Sequence, residues 1–202
     1  MKFANIERKD LFYAGLLISL AFAVLFSGAG SFGTTGILGF NIGFLIIFGI
    51  SFLTAGLGFI LHELAHKYVA VSYGLMAEFK AFYKMLFLAV AVSFFGFIIA
   101  APGAVFIHGF GITKEKNGKI SVSGPLTNIV LAVLFLMIYL IQGEGIVGMI
   151  GNLGFTINAL LAAFNMIPVM PFDGAKVIAW SKTRYYVTLI LAVGLFLLSL
   201  FI

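Results

Sequence analysis

The sequence predicts an all-α membrane protein that crosses the bilayer several times. Of its 202 residues, 62% are apolar and 9% are charged, and the mean hydropathy is +1.18. Soluble domains are about 45–50% apolar and about 25% charged, so a water-soluble globule is excluded. The abundance of Phe, Leu and Ile also excludes a disordered chain. Because the sequence has no cysteine, a disulfide framework and thiol chemistry are excluded as well.

Five apolar stretches are long enough to cross a bilayer, since one crossing takes about 20 residues. Glycine-rich, proline-containing or charged segments separate them. The predicted spans are residues 11–27, 42–73, 125–141, 149–166 and 185–202. The first stretch is similar to a cleaved signal peptide, but two acids in the preceding head and the immediate return to apolar sequence favour a retained helix.

A further apolar stretch, residues 85–107, is predicted to enter the membrane and return. The basic residues lie mainly in the N-terminal head and in three connecting segments, whereas the connectors at 28–41 and 142–148 carry none. The positive-inside rule places the basic segments at the cytoplasmic face. Residues 75–84 and 108–122, which flank the stretch, then share one face. We therefore expect a re-entrant or β-hairpin-like loop that is covered by protein, with an ordinary sixth full span as the alternative.

The second span contains the pattern His62-Glu63-Leu64-Ala65-His66. On a helix, residues four apart share a face, so both imidazoles can reach one metal ion. Glu63 can lean over an open coordination position as a general base. Two histidines and a glutamate are costly within a membrane, where ionisable groups are functional by default. The pattern therefore predicts a metal site.

A hydrolytic zinc site needs a third protein ligand, and Asp173 is the best candidate. It lies at the end of a span, in an irregular stretch that contains Pro168, Pro171 and Gly174. The predicted topology brings it to the membrane half in which the second span ends. A turn or helix cap is the alternative role, since Asp-Gly is common in turns. His108 is expected to form hydrogen bonds rather than ligate. The other acids lie in the head, in basic surroundings or in the far connector: Glu7, Asp10, Glu78, Glu115 and Glu144.

Three motifs in order resemble those of the site-2 protease family of intramembrane zinc metalloproteases. Residues 62–66 match its H-E-x-x-H motif, and residues 123–128, Ser-Gly-Pro-Leu-Thr-Asn, resemble its small-G-P-x-x-N motif. Residues 165–174, Asn-Met-Ile-Pro-Val-Met-Pro-Phe-Asp-Gly, resemble its N-x-x-P-x-x-P-x-D-G motif. The resemblance covers residues 55–176. The stretch 75–122 is similar only in its place, where membrane-associated strands often follow the second span in this family.

This resemblance implies a zinc metalloendopeptidase that cleaves a transmembrane segment of its substrates. It implies one zinc ion per chain, held by His62, His66 and Asp173. It also implies Glu63 as the general base that activates a zinc-bound water. Asn165 is implied as a catalytic residue that helps to hold the substrate or the developing oxyanion. Single-span membrane proteins are the expected substrates, cut in regulated intramembrane proteolysis.

We expect one membrane-embedded domain over residues 1–202, with a core at about 42–176 and peripheral helices at 11–27 and 185–202. It would be a minimal family member without PDZ or CBS modules. We expect a multi-pass protein of the cell membrane whose N-terminus and active site face the cytoplasm. No nucleic-acid partner is expected, because the net charge of +5 lies in segments that flank the membrane. The oligomeric state is left open.

Three other functions compete with this interpretation. Another membrane zincin, such as the CAAX-processing type, would need a later glutamate as third ligand, and Glu78, Glu115 and Glu144 lie in no span. A non-catalytic metal-binding membrane protein would have no need of Glu63. A zinc transporter would need ion-binding groups along a crossing path, which the far half of the membrane lacks.

Overall fold

The computed structural model describes residues 3–28, 42–98 and 102–202, and most of these are helical. In chain order the elements are α1 (Asn5–Phe26), α2 (Ile42–Ser51), a π-helical turn (Phe52–Gly56), α3 (Leu57–Ser72), β1 (Met76–Ala81), α4 (Tyr83–Ser93), β2 (Gly103–His108), α5 (Lys114–Gln142), α6 (Gly145–Asn165), α7 (Asp173–Trp180) and α8 (Lys182–Ser199). The predicted all-α polytopic class is confirmed, with one small sheet added.

Within the described residues, five helices are long and apolar enough to cross a membrane, which agrees with the predicted number of full spans. They are α1, the continuous helix Ile42–Ser72, α5, α6 and α8. Their ends differ from the apolar windows, because helices continue into polar sequence beyond the hydrocarbon. Thus α5 begins at Lys114, where the Thr113 side chain accepts a hydrogen bond from the Lys116 N–H, and Pro125 lies inside the helix instead of at its start.

The stretch predicted to enter and return, residues 85–107, does not form a sixth long helix in its described part. Its helix α4 has 11 residues, fewer than the roughly 20 that a crossing takes. It is followed by β2, which pairs with β1 in a two-stranded sheet. The chain therefore leaves this sheet after β1 and comes back to it at β2. The returning loop is confirmed over the alternative of a sixth span, although it contains a helix that was not predicted.

By its internal contacts the chain divides into two compact units. Unit 1 contains residues 61–78 and 105–202, and unit 2 contains residues 2–60 and 79–104. The single domain predicted over residues 1–202 stays a prediction.

In unit 2, small residues bring α1 against the π-helical turn. A β-carbon added at Gly56 would lie 2.4 Å from the Ser19 hydroxyl oxygen, so only glycine permits this approach. The Ser19 hydroxyl in turn donates to the Gly15 carbonyl at 2.6 Å. Close contacts between small residues are the usual means of packing helices in lipid, where no hydrophobic force drives them together.

Two acids of the N-terminal head bind the backbone of β1. The Phe79 N–H donates to Glu7 at 3.0 Å, and the Ala81 N–H donates to Asp10 at 3.0 Å. The Tyr83 hydroxyl donates to the other oxygen of Asp10 at 2.7 Å, and this hydrogen bond raises the pKa of Tyr83 to about 12. Because unpaired strand donors are costly in an apolar environment, the head acids stabilise this edge of the sheet.

In unit 1, glycines allow α5, α6 and α7 to pack closely. A β-carbon at Gly154 of α6 would lie 2.4 Å from the ring of Phe135 in α5. One at Gly118 of α5 would lie 2.4 Å from Trp180 in α7. Met166, Val177 and Tyr185 form a buried cluster that joins α7 to its neighbours. This packed core fixes the position of α7, whose first residue is Asp173.

The returning loop predicts that residues 78 and 116 lie on one side of the membrane. Single cysteines can test this, because the chain has none of its own. We expect Glu78→Cys and Lys116→Cys to react with a membrane-impermeant maleimide from the same side. As a control, Glu144→Cys in the connector between α5 and α6 should react from the opposite side. Reaction of the Lys116→Cys variant together with Glu144→Cys would mean that residues 85–107 cross the membrane.

Candidate metal centre

The structure brings the three predicted ligands to one place in unit 1. His62 and His66 lie one turn apart on α3, with their Nε2 atoms 3.0 Å apart. Asp173 is the first residue of α7, and its Oδ2 lies 3.4 Å from His62 Nε2 and 3.0 Å from His66 Nε2. Ligand atoms at 2.0–2.1 Å from a tetrahedral zinc ion stand about 3.3 Å apart. The three side chains are therefore spaced as a metal ion requires.

The hydrogen bonds of the two rings leave their Nε2 lone pairs free for a cation. His66 Nδ1 lies 2.8 Å from the carbonyl oxygen of Ile120, which can only accept, so this nitrogen donates. His62 Nδ1 lies 2.6 Å from the side-chain oxygen of Asn128. In a neutral imidazole with a protonated Nδ1, the Nε2 atom is the acceptor and the possible metal ligand.

A chain of amide hydrogen bonds, which we call the amide relay, fixes the orientation of Asn128. Its side-chain nitrogen donates to the side-chain oxygen of Asn158 at 2.9 Å. The Asn158 nitrogen donates to the backbone carbonyl of Gly154 at 2.9 Å. Because this carbonyl can only accept, each amide has one possible orientation, and the Asn128 oxygen must face His62. Both asparagines are fully buried. The backbone of α6 thus determines which nitrogen of a ligand on α3 carries the proton.

Gly124 of α5 makes room for the cluster. A β-carbon at this position would lie 2.5 Å from both Nε2 atoms, in the space between the rings. Only a residue without a side chain leaves this space open.

Asp173 is positioned by the approach of Gly174 to the preceding chain. A β-carbon at Gly174 would lie 2.3 Å from the Met166 carbonyl oxygen. The second carboxylate oxygen of Asp173 lies 3.8 Å from the ammonium group of Lys176.

Glu63 lies next to the ligands and has an unused oxygen. Its side chain is 7% exposed, and its Oε2 has no hydrogen-bond partner within the described parts of the chain. The backbone of Val105 in β2 forms a hydrogen bond with this carboxylate. A buried carboxylate oxygen without a partner is costly unless another group, such as a water or an ion, completes its environment.

Two further predicted residues do not join the cluster. The Asn165 side chain donates to the Leu161 carbonyl at 2.9 Å, within its own helix, so its catalytic role stays a prediction. His108 is the exposed last residue of β2. In the ranges that the structure describes, His62, His66 and Asp173 form the one group of potential metal ligands.

The chain is similar to several proteins named as zinc metalloproteases. It is 43% identical over 159 residues to the provisionally named zinc metalloprotease MJ0611 of Methanocaldococcus jannaschii, an alignment that covers 78% of this chain and 83% of the relative. The chain belongs to this zinc metalloprotease family.

Two more distant relatives carry similar names. Zinc metalloprotease MJ0392 of the same organism is 27% identical over 143 residues, which are 70% of this chain and 37% of that protein. The provisionally named zinc metalloprotease YwhC of Bacillus subtilis is 26% identical over 144 residues, covering 62% of this chain and 66% of that protein. No family model matches the chain, and no solved structure matches it significantly.

The donor set fits the zinc ion that the family name implies. Zinc is commonly bound by imidazole nitrogens and carboxylate oxygens, and hydrolytic sites use three protein ligands and leave a fourth position open. The two free Nε2 lone pairs, the Asp173 carboxylate and the gap beside Gly124 match that requirement.

Sequence reasoning missed Asn158 as a member of this metalloprotease site. Asn128 lies in the segment 123–128, but the sequence alone indicates no role for it. One signal was present in the sequence: each is an amide inside a predicted span, where a polar side chain has to find a partner.

The amide relay predicts that Asn158→Leu weakens zinc binding without removing a ligand. Without its acceptor, the Asn128 amide can rotate, and His62 loses a fixed tautomer. Loss of such a partner costs about 10–100-fold in metal affinity. The measurement is zinc affinity by competition with a chelator. Asn152→Leu, the same substitution on the same helix outside the relay, is the matched control and should bind zinc like the wild type.

The contact at Gly124 predicts that Gly124→Ala abolishes metal binding. The added methyl group would occupy the space between the two Nε2 atoms. Purified protein should contain far less than one zinc ion per chain by elemental analysis while its helical circular dichroism is retained. Gly194→Ala serves as the control, because a β-carbon there meets nothing within 4 Å. Full zinc occupancy in Gly124→Ala would contradict the proposed ligand geometry.

Proposed function

We propose that this chain is an intramembrane zinc metalloendopeptidase of the site-2 protease type, which cleaves transmembrane segments of membrane proteins. The observation that carries the proposal is a metal-ligand cluster on a membrane-spanning helix. His62 precedes the end of the helix at Ser72 by ten residues, a distance of about 15 Å at 1.5 Å per residue. This depth is about half the thickness of a hydrocarbon core of about 30 Å, which supports a metal site within the bilayer.

The chain supplies the groups that peptide hydrolysis requires. When bound, zinc provides an acidified water molecule and an electrophile for the scissile carbonyl. His62, His66 and Asp173 would hold it. The partnerless oxygen of Glu63 would accept the proton of the water, and the same carboxylate would return it to the leaving amine.

The type of third ligand supports the site-2 class over other membrane zincins. Asp173 joins the histidines, whereas Glu115 pairs with Lys119 at 2.6 Å on the exposed side of α5. The aspartate also falls in the N-x-x-P-x-x-P-x-D-G motif that is typical of that class. Asn165, from the same motif, would hold the substrate or the oxyanion after its amide leaves the Leu161 carbonyl.

The strand β2 offers a place for the substrate backbone. A transmembrane helix must unwind before attack, since its carbonyls are engaged in hydrogen bonds. The backbone of Val105 lies within hydrogen-bonding distance of Glu63. An unwound segment that adds to β2 as a further strand would therefore pass beside the general base. We propose single-span membrane proteins as substrates on this basis.

The proposed location is the cell membrane, with the N-terminus and the metal centre toward the cytoplasm. The support is the concentration of basic residues in the segments that flank α3, α5 and α8 on one side.

The decisive test separates metal binding from cleavage. Glu63→Gln should keep its zinc and lose cleavage of a single-span test substrate by about 10²–10⁴-fold, the usual contribution of general acid–base catalysis. Asp173→Asn should lose both zinc affinity and cleavage. Zinc content is measured by elemental analysis, and cleavage is measured in detergent or proteoliposomes.

Two controls make this test specific. Chelation followed by zinc addition should abolish and then restore the wild-type activity. A soluble peptide with the same scissile sequence should be cut poorly if the enzyme requires a membrane-embedded segment. Normal cleavage by Glu63→Gln would overturn the mechanism, and zinc binding by a wild type that cleaves nothing would favour a non-catalytic metal-binding protein.

A further inference from the structure

One pocket in unit 1 lies where the N-terminal parts of α5 and α8 meet α7. Its volume is about 290 Å³. Its lining includes Lys119, Leu126, Trp180, Arg184 and Val187. None of them belongs to the cluster of His62, His66 and Asp173, and the proposed protease mechanism has no use for this pocket.

The mouth of the pocket carries positive charge. The Arg184 guanidinium lies 4.2 Å from the centre of the Trp180 ring, on which it stacks. Lys119 pairs with the exposed Glu115 one turn away, an interaction that contributes little because solvent screens it. Lys119 and Arg184 can therefore both turn toward an anion. An arginine with a planar fork of donors is especially suited to a phosphate group.

The lining changes from basic to apolar along both helices. On α5 it passes from Lys119 to Leu126, seven residues or about 10 Å farther along the helix. On α8 it passes from Arg184 to Val187, one turn into the span. The charged end thus lies where these spans begin, and the apolar end faces the hydrocarbon. This polarity is that of an amphiphile with an anionic head and an acyl tail.

We propose that this pocket binds one anionic phospholipid, with its phosphate between Lys119 and Arg184 and its first acyl carbons against Leu126 and Val187. Basic pockets between membrane helices are suited to such headgroups. A soluble anion would gain nothing from the apolar end, and an apolar peptide would gain nothing from the two cations. The combination of both ends in one pocket favours a lipid.

The single tryptophan of the chain lies in the pocket and reports its occupant directly. The protein would be reconstituted in phosphatidylcholine vesicles that contain either dibrominated phosphatidylglycerol or dibrominated phosphatidylcholine at the same mole fraction. Bromine on an acyl chain quenches nearby tryptophan fluorescence. We expect Trp180 to associate about 25-fold more strongly with the anionic than with the zwitterionic lipid, at about fivefold for each basic group.

Charge-matched variants distinguish a defined site from diffuse attraction. Lys119→Gln and Arg184→Gln should each reduce the anionic preference about fivefold. Lys182→Gln removes an equal charge from the exposed start of α8, outside the pocket lining, and should leave the preference nearly unchanged. Zinc content should be as in the wild type for all three, which verifies that they are folded.

Two results would overturn the proposal. Equal quenching by both brominated lipids in the wild type would mean that no anionic lipid is selected. An equal loss of preference in Lys182→Gln and in the two pocket variants would mean that only the overall charge of the surface attracts lipid. Neither result would affect the proposed protease activity, which is measured separately.

Discussion

The constraint on which unit 1 depends is the confinement of three acceptor atoms in an apolar environment. Two imidazole nitrogens and a carboxylate oxygen lie within 4.8 Å of one another, and none brings a proton to the shared space when the rings are neutral. Lone pairs at this distance repel one another, and a bound cation would remove the repulsion. The arrangement is stable because hydrogen bonds from outside the cluster hold each ring, chiefly through Ile120 and Asn128.

The ligands come from α3 and α7, the hydrogen-bond partners of the two histidines come from α5, and Asn158, which holds Asn128, comes from α6. Such a site forms only if four helices approach more closely than ordinary side chains allow. Glycine meets this demand at each junction: Gly124 faces the rings, Gly154 faces α5, and Gly174 faces the chain before α7. The same glycines therefore determine both the packing of the helices and the geometry of the metal site. A methyl group at these positions would displace a helix or fill the metal position.

The parts of the fold and the site that could be predicted from the sequence are those that depend on residue spacing, on the length of an apolar stretch or on the distribution of charge. The lengths of the apolar stretches predicted the five spans, and the distribution of basic residues predicted the returning loop. The spacing of His62 and His66 predicted that both side chains lie on one face of a helix. Asp173 required a topological argument. The amide relay could not be predicted, because the pairing of Asn128 with Asn158 depends on the rotation of α6 against α5. The role of Glu7 in holding β1 was missed for the same reason, since its partner Phe79 is distant in the sequence.

The hydrogen-bond partners of the two histidines are uncharged, and the charges at a metal site in an apolar environment explain why. With zinc bound, its charge of +2 would be offset by the carboxylates of Asp173 and Glu63, and Lys176 adds one positive charge 3.8 Å from Asp173. Histidine ligands often donate to a carboxylate, but here the acceptors are an amide and a backbone carbonyl. An aspartate in place of Asn128 would add a third buried carboxylate beside Asp173 and Glu63, which is costly in a medium of low dielectric constant. An amide fixes the tautomer equally well and adds no charge. An amide side chain that is not held can rotate and exchange its oxygen and nitrogen. Asn158 prevents this rotation of Asn128 by linking it through hydrogen bonds to the backbone of α6.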